Sequence, residues 1–379
     1  MFRRRPIVQN EIVARQMRQF FRSLRETRPD GVAKSYGAFL WDRSTENLDN
    51  ANELSRARFH IGLSAGAESF DQLTKRAALV SDTLLLCHDW KGAYHGIGES
   101  RRKGWEYHAG AYTPADSDYA VAEWLAERKR EQAARQVESA RVYGMHCPDL
   151  TELGRWLLGA RDLLEAGLAW YLPSYSVVTH LGADDDKPYI ESFGEAERAK
   201  AVDFLIQDGR AVDTSEVRPV KSRLVRPLLQ IDLPFMDGVS IRDFSRITIE
   251  EFASYSAFRD FLRLSFLELD ESLNAVQSDN EIVKLGLRIK DEVRSARAEM
   301  ERVRRRRSVA VTGAVVGSVG AVLVAVYGPA LAAAVAALGA SGGLWGIVNA
   351  AAENSTRVLR ENEWHYVWVL ARKSGTHVA

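Results

Sequence analysis

The sequence has few cysteines, no net charge and no conventional targeting segment, and each absence removes a class of protein. Only two cysteines occur, Cys87 and Cys147, and they are too far apart to form a CxxC pair. We therefore predict no disulfide framework, which fits a reducing compartment. Because 51 basic side chains balance 51 acidic ones, we expect no general nucleic-acid binding.

The familiar signatures of targeting and chemistry are also missing. The chain begins MFRRRP, but no apolar run follows, so we expect no secretory or twin-arginine signal. No Walker A, HExxH or kinase motif occurs. The pairs Cys87-His88 and His146-Cys147 place both ligand types at adjacent positions, and adjacent side chains point apart. We predict no metal site and no cofactor.

One long stretch, in contrast, carries no charge at all. It runs from Ser308 to Ala352, is rich in Val, Ala, Leu and Gly, and follows the basic run Arg304-Arg305-Arg306-Arg307. Gly328-Pro329 divides it into two arms, because Pro lacks an N–H and disfavours helix at the preceding residue. Each arm has about the length that a helix needs to cross a hydrocarbon layer. The pattern predicts a hydrophobic helical hairpin.

The spacing of small residues suggests that the two arms pack on each other. Gly313 and Gly317 lie four residues apart in the first arm, and Gly339 and Gly343 do so in the second, which permits close approach of two helices. An arginine run before a span is typical of a cytoplasmic flank. We therefore predict a hairpin in contact with membrane lipid at the bacterial inner membrane, with both termini cytoplasmic. The alternatives are conditional insertion of the hairpin and a soluble protein that buries it as core.

A second amphipathic segment lies near the N-terminus. Residues Asn10 to Thr27 predict a helix with apolar side chains on one side and arginines on the other. Such a helix binds an anionic membrane surface or docks its apolar face on the core. After it, we interpret Gly31 to Asp49 as a loop and Glu53 to Ala78 as mostly helical.

The middle of the chain predicts an α/β unit. Val80 to Cys87 and Leu168 to Pro173 are short apolar runs that predict buried strands. Between them, Asp149 is a candidate N-cap with Glu152 three residues on, and Gly167 is a candidate helix stop. Strand, crossover and strand predict a parallel pair with helices around it. Leu228 to Leu233 is a further strand candidate.

In open α/β sheets, sites lie beyond the carboxyl ends of the strands. His88, Asp89 and Tyr175 follow the predicted strands and are the catalytic candidates. They rest on fold analogy alone, and we find no cofactor-binding residue to add to them.

The C-terminal third predicts an all-α region. From Ile282 to Val303, apolar residues alternate steps of three and four, which is the seam of a coiled-coil-like stalk. This seam suggests self-association. Near the end, Trp364, Tyr366 and Trp368 alternate and fit either a membrane interface or a docked terminal element.

These patterns divide the chain into five segments. They are a basic N-terminal helix (1–30), an α/β domain (31–238), a helical stalk (239–307), the hairpin (308–352) and an aromatic-rich tail (353–379).

The order of these features resembles a group of uncharacterised bacterial proteins of actinobacterial type. The similarity rests on Ser81–Leu86, Leu163–Pro173 and Leu233-Pro234-Phe235, followed by the arginine-rich stalk and the hairpin. The resemblance implies an α/β region with a C-terminal hairpin, and it lends no activity or site.

Three functions follow from the sequence. The first is a non-enzymatic protein whose cytoplasmic domain senses or binds a ligand and is coupled to the hairpin, as in a defence or stress effector. The second is a soluble scaffold with a buried hairpin, and the third is an intracellular enzyme with its site near the strand ends.

Overall fold

The structure is a computed structural model that describes residues 7–66, 68–89, 92–106, 135–181, 189–214, 217–268, 280–292, 294–295 and 363–374. The helices in these ranges are α1 Glu11–Ser23, α2 Pro29–Trp41, α3 Ser44–Ser55, α4 Phe70–Ala77, α5 Leu150–Gly159, α6 Arg161–Ala166, α7 Glu195–Ala201, α8 Pro219–Gln230, α9 Ile241–Glu250, α10 Phe252–Leu267, α11 280–292 and α12 Glu363–Ser374. The strands are β1 His60–Ala65, β2 Thr83–His88, β3 Ala93–Glu106, β4 Arg135–Cys147, β5 Ala169–Tyr171, β6 Ser174–Leu181, β7 Tyr189–Phe193, β8 Phe204–Gln207 and β9 Arg210–Asp213.

A largely parallel sheet forms the centre of the fold. Its strand order is β5-β2-β1-β8-β9, and only the edge pair β8–β9 is antiparallel. Every residue of β1, β2 and β5 is buried, as expected for strands covered on both faces. The predicted α/β region with a parallel sheet is confirmed. The strand predictions at 80–87 and 168–173 correspond to β2 and β5.

The central strand β1 was not predicted, because Glu53 to Ala78 had been interpreted as mostly helical. In the structure this range contains the end of α3 and all of β1 and α4. The interpretation of Gly31 to Asp49 as a loop is also wrong, since α2 and α3 cover most of it. The strand predicted at Leu228 to Leu233 is wrong as well, because its first half belongs to α8.

A second sheet is entirely antiparallel and has the order β3-β4-β6-β7. It was not predicted from the sequence. The indole of Trp41, at the end of α2, stacks on Tyr143 with ring centroids 4.8 Å apart and meets Phe193 edge-on at 5.2 Å. This aromatic contact fixes the second sheet against the helices around the first.

Helix α1 docks on the core with its apolar side. Val13, Met17 and Phe20 are fully or almost fully buried, and Asn10 caps the helix by accepting from the Val13 N–H at 3.1 Å. The docked alternative for this amphipathic segment is therefore the one that the structure supports.

A buried ion pair fastens α8 to β1. The Lys221 ammonium is 1% exposed and donates to both carboxylate oxygens of Asp203, at 2.7 and 2.9 Å, and to the Ser55 carbonyl at 2.9 Å. Asp203 also accepts from the Gly62 N–H of β1 at 2.8 Å. A side chain at Gly62 would collide with the Ala201 carbonyl, so glycine allows this close approach of the backbones.

The C-terminal helices pack on the α/β unit and do not stand apart from it. Tyr255 and Phe258 of α10 are fully buried, and the Tyr255 hydroxyl donates to the Ala78 carbonyl at 2.6 Å. Arg263 donates to the Val80 carbonyl at 2.9 Å and to Asp82 at 2.8 Å. The prediction of helices in this part of the chain is confirmed.

The predicted coiled-coil seam is used within the chain as far as the structure describes it. Ile282, Leu285 and Ile289 of α11 belong to the hydrophobic core. At the C-terminus, α12 docks on α9 and α10, where the Tyr366 hydroxyl lies 2.9 Å from Thr248 Oγ1. The terminal aromatics are therefore explained by docking. Self-association through 282–303 stays a prediction.

Within the described ranges, no helix combines the length and the apolar character needed to cross a membrane. The predictions of transmembrane helices and of an inner-membrane location are therefore wrong for this part of the chain, since its apolar helices are short and carry charged side chains. The hairpin at 308–352 lies outside the described residues, and so do Arg304 to Arg307 and the glycines named above.

The contact between α2 and α5 gives a first testable prediction. A Cβ at Gly154 in α5 would collide with the Pro29 backbone at the start of α2. We expect Gly154→Ala to lower the free energy of unfolding by about 1–3 kcal/mol, as overpacking of a core does. Urea denaturation followed by circular dichroism measures it.

Gly286→Ala is the matched control, because this glycine is also helical and its Cβ would meet its nearest neighbours at an ordinary 3.7 Å. We expect this change to be neutral or stabilising by up to about 1 kcal/mol. Equal destabilisation by both substitutions would contradict the tight α2–α5 contact.

Candidate functional site

A pocket opens at the carboxyl ends of β1 and β2, between the first turns of α4 and α5. Its volume is about 190 Å³, and it is lined by Gly66, Glu68, Ser69, Phe70, Asp71, His88, Pro148, Asp149, Glu152, Leu153, Arg155 and Trp156. We call it the strand-end pocket. It occupies the position where ligands bind in open α/β sheets, and it is smaller than the roughly 300–1,000 Å³ of pockets for drug-sized ligands.

His88 forms the inner wall of this pocket. It is the last residue of β2, pairs with Ala65 of β1 in the sheet register, and is 6% exposed. Its ring stacks on Phe70 with centroids 4.2 Å apart and an interplanar angle of 8°. Burial lowers the pKa of His88 to about 4. The imidazole is therefore neutral near pH 7.

A hydrogen bond from Tyr171 orients the His88 ring. The Tyr171 hydroxyl lies 3.1 Å from His88 Nδ1, and burial raises the pKa of Tyr171 well above its usual value. The phenol therefore keeps its proton, and we assign it as the donor to Nδ1, which places the histidine's own proton on Nε2. Among the described residues, Nε2 has no hydrogen-bond partner. A neutral N–H donor is thus available to a ligand.

The backbone of His88 is held as firmly as its ring. Its carbonyl accepts from the Ser174 hydroxyl at 2.9 Å and from an Arg198 guanidinium N–H at 3.5 Å. The Tyr171 carbonyl in turn accepts from the Tyr36 hydroxyl at 2.7 Å. The donor in the pocket is therefore fixed from three neighbouring elements before any ligand arrives.

Two acidic residues of the pocket are tied to backbone N–H groups. Asp149 caps α5 by accepting from the Thr151 and Glu152 N–H groups at 2.6 and 3.2 Å, which confirms the cap predicted from the sequence. These bonds lower the pKa of Asp149. Glu68 accepts from the Gly66 N–H at 2.9 Å. Both carboxylates offset the positive ends of the helices beside them.

Two other acidic residues have no such ties. Asp71 and Glu152 make no side-chain hydrogen bond or ion pair with any described residue. The pKa of Asp71 is raised, chiefly by burial, while Lys75 lowers it and Glu152 raises it further. The Lys75 ammonium donates to the Val239 carbonyl at 3.1 Å. Both carboxylates are thus open to a ligand.

Trp156 closes the apolar side of the pocket. Its indole N–H donates to Thr74 Oγ1 at 2.8 Å, and its ring meets Phe70 edge-on at 5.5 Å. This bond satisfies the buried donor and fixes the ring.

The sequence candidates divide into two groups. His88 lines the strand-end pocket, and Asp89 follows it, with its carboxylate 3.6 Å from where a Cβ at Gly66 would lie. Tyr175 is not part of the site, because its buried hydroxyl donates to the Gly37 carbonyl at 2.7 Å and its ring packs on Trp41. Its role is structural.

Sequence reasoning missed Glu68 and Asp71, because the strand before them had been interpreted as helix. One signal was present there: residues Gly62–Gly66 read GLSAG, which matches the G-x-S-x-G pattern of hydrolase nucleophiles. Ser64 does not occupy a strand-to-helix turn, however. It lies inside β1 beside Cys87 and is buried, so it is not placed to attack a substrate.

The two thiols are equally unsuited to nucleophilic chemistry. Cys87 and Cys147 are buried, burial raises the pKa of both, and that of Cys147 reaches about 12. A nucleophilic thiol needs a lowered pKa. Across the part of the chain that the structure describes, no three His, Cys, Asp or Glu side chains are grouped to hold a metal ion. The strand-end pocket therefore offers hydrogen bonding, charge and an apolar wall.

The resemblance to uncharacterised bacterial proteins with a C-terminal hairpin stays a prediction, because nothing tests it. Neither a protein-family model nor a curated protein nor a solved structure matches this chain.

Proposed function

We propose that this chain binds a small polar molecule in the strand-end pocket and acts on it there as an enzyme or a receptor. The observation that carries the proposal is His88, a nine-tenths buried side chain whose Nε2 has no partner among the described residues and which lines the pocket. This nitrogen is not fully enclosed by protein, and it faces the pocket that the ring lines. A ligand that accepts from it would form a hydrogen bond at a site where most of the histidine is shielded from solvent.

The position of the pocket supports the proposal independently of His88. It lies where two parallel strands end and two helices begin. The Asp89 N–H donates to the Ala65 carbonyl at 3.2 Å. Such ends combine a rigid scaffold with free polar groups, which is what binding sites require.

Ligand-observed NMR with a library of polar fragments tests this proposal. We expect fragments to bind the wild-type protein and His88→Gln to weaken them about tenfold, since one good hydrogen bond to a desolvated donor contributes about 1–1.5 kcal/mol.

His60→Gln is the matched control, because His60 is a second fully buried histidine that does not line the pocket. It should leave fragment affinity unchanged. Fragments that bind both variants as tightly as the wild type would place the binding site elsewhere and refute the proposal.

A further inference from the structure

We propose that the natural ligand of the strand-end pocket is a small organic cation, a protonated amine or a guanidinium compound. This inference rests on the proposed function, because it names the chemical class of the molecule that the pocket binds. The first support for it is the charge of the lining residues.

Carboxylates outnumber basic groups in the lining. Glu68, Asp71, Asp149 and Glu152 contribute four acidic side chains, and Arg155 is the single basic one. The sixth titratable group, His88, carries no charge near pH 7. A cation is therefore attracted to the pocket, while a phosphate or a dicarboxylate is repelled by it.

The acidic groups differ in whether a ligand can use them. Glu68 and Asp149 already accept backbone hydrogen bonds, whereas Asp71 and Glu152 have no side-chain partner among the described residues. These two lie on different helices, α4 and α5, and they are near enough for the charge of Glu152 to raise the pKa of Asp71. A group with several N–H donors can reach both, as a guanidinium or an ammonium does.

His88 points to a ligand independently of the acidic residues. It is mostly buried, Tyr171 orients it, and its Nε2–H faces the pocket without an acceptor among the described residues. The cation should therefore also carry an acceptor, such as a hydroxyl or a carbonyl oxygen. Being neutral, the imidazole does not repel the positive charge.

The aromatic wall fits the same ligand. Phe70 and Trp156 line the pocket beside Asp71 and Glu152, and aromatic rings attract organic cations. With about 190 Å³ available, the ligand is small.

Isothermal titration of the full-length protein with agmatine, putrescine and ethanolamine tests the inference, with inorganic phosphate and succinate as anionic probes. We expect the cations to bind and the anions not to bind. Raising the salt from about 0.1 M to about 1 M should weaken the cations, because the Debye length falls from about 10 Å to about 3 Å.

Removing an acidic side chain of the pocket and removing its basic side chain should change the affinity for the cation in opposite directions. Asp71→Asn and Glu152→Gln should each weaken the best cation about tenfold, and Arg155→Gln should tighten it about threefold, because a repulsive charge is removed. Glu46→Gln replaces an exposed acidic residue on α3 that does not line the pocket, so it should leave cation affinity unchanged.

The outcomes separate this inference from the proposed function. If the anions bind the wild-type protein and Arg155→Gln abolishes this binding, the inference of a cationic ligand is refuted, while the proposal of a ligand-binding pocket stands. Binding that the substitutions at Asp71, Glu152 and His88 all leave unchanged would refute both.

Discussion

Lowering the pH from 7 to 5 is expected to destabilise the folded protein by about 2 kcal/mol for each of His60 and His88. Burial lowers the pKa of His60 from 6.5 to about 3, with a smaller contribution from Lys221, and it lowers that of His88 from 6.5 to about 4. The unfolded chain takes up protons below pH 6.5, and the folded chain does not. The loss of folding stability is therefore absent at high pH and grows as the pH falls below 6.5. It stops growing near pH 4 for His88 and near pH 3 for His60.

His60 is the sharper probe of this effect, because neither of its ring nitrogens has a hydrogen-bond partner among the described residues. Urea unfolding at pH 7 and pH 5, followed by circular dichroism, measures the change for the wild type and for His60→Gln. The glutamine variant should lose about 2 kcal/mol less than the wild type between these pH values. Identical losses would show that His60 is protonated in the folded state.

Replacing Lys221 by methionine is expected to cost about 3–5 kcal/mol of unfolding free energy. The substitution keeps the length of the side chain and removes the ammonium. Among the described residues, the buried Asp203 carboxylate then keeps only the Gly62 N–H as a hydrogen-bond donor. The Ser55 carbonyl also loses its donor. Thermal and urea denaturation both report the loss.

Two control substitutions test whether the loss of stability comes from leaving a buried charge without its partner. Arg15→Met breaks an exposed pair with Glu11 and should cost less than about 1 kcal/mol. The double variant Lys221→Met with Asp203→Asn should recover part of the loss, because no uncompensated charge remains. If Lys221→Met were as mild as Arg15→Met, the ion pair would not be buried in solution.

Helix-capping residues in the sequence correctly predicted the start of one helix and the end of another. Asp149 caps α5, and Gly167 ends α6 with a φ of 72°, in the left-handed region that favours glycine. Each signal depends on a few neighbouring residues, so it needs no knowledge of the fold. The apolar runs that became β2 and β5 were predictable for the same reason.

The central strand was harder, because a short apolar run is ambiguous. His60–Ala65 reads HIGLSA between two helical patterns, and periodicity over six residues does not separate a buried strand from helix. In α8, Pro227 is a residue of the type that usually breaks a helix. The helix nevertheless includes it, and the Pro227 carbonyl accepts from the Ile231 N–H at 2.8 Å.

The candidate site was only partly predictable, since its members come from distant parts of the chain. His88 followed from the rule that sites lie at strand ends. Asp71 and Glu152 became neighbours only through the packing of α4 and α5 over these ends, which no local pattern encodes. The predicted membrane location rested on the uncharged stretch at 308–352, which lies outside the described residues.

The docking of α11 and α12 has a consequence for shortening the chain. Both helices belong to the same hydrophobic core as the parallel sheet, through Ile289 and Tyr366 among others. Removing α12 would therefore uncover core side chains of α9 and α10, so we expect it to destabilise the whole fold and not merely to trim a terminus.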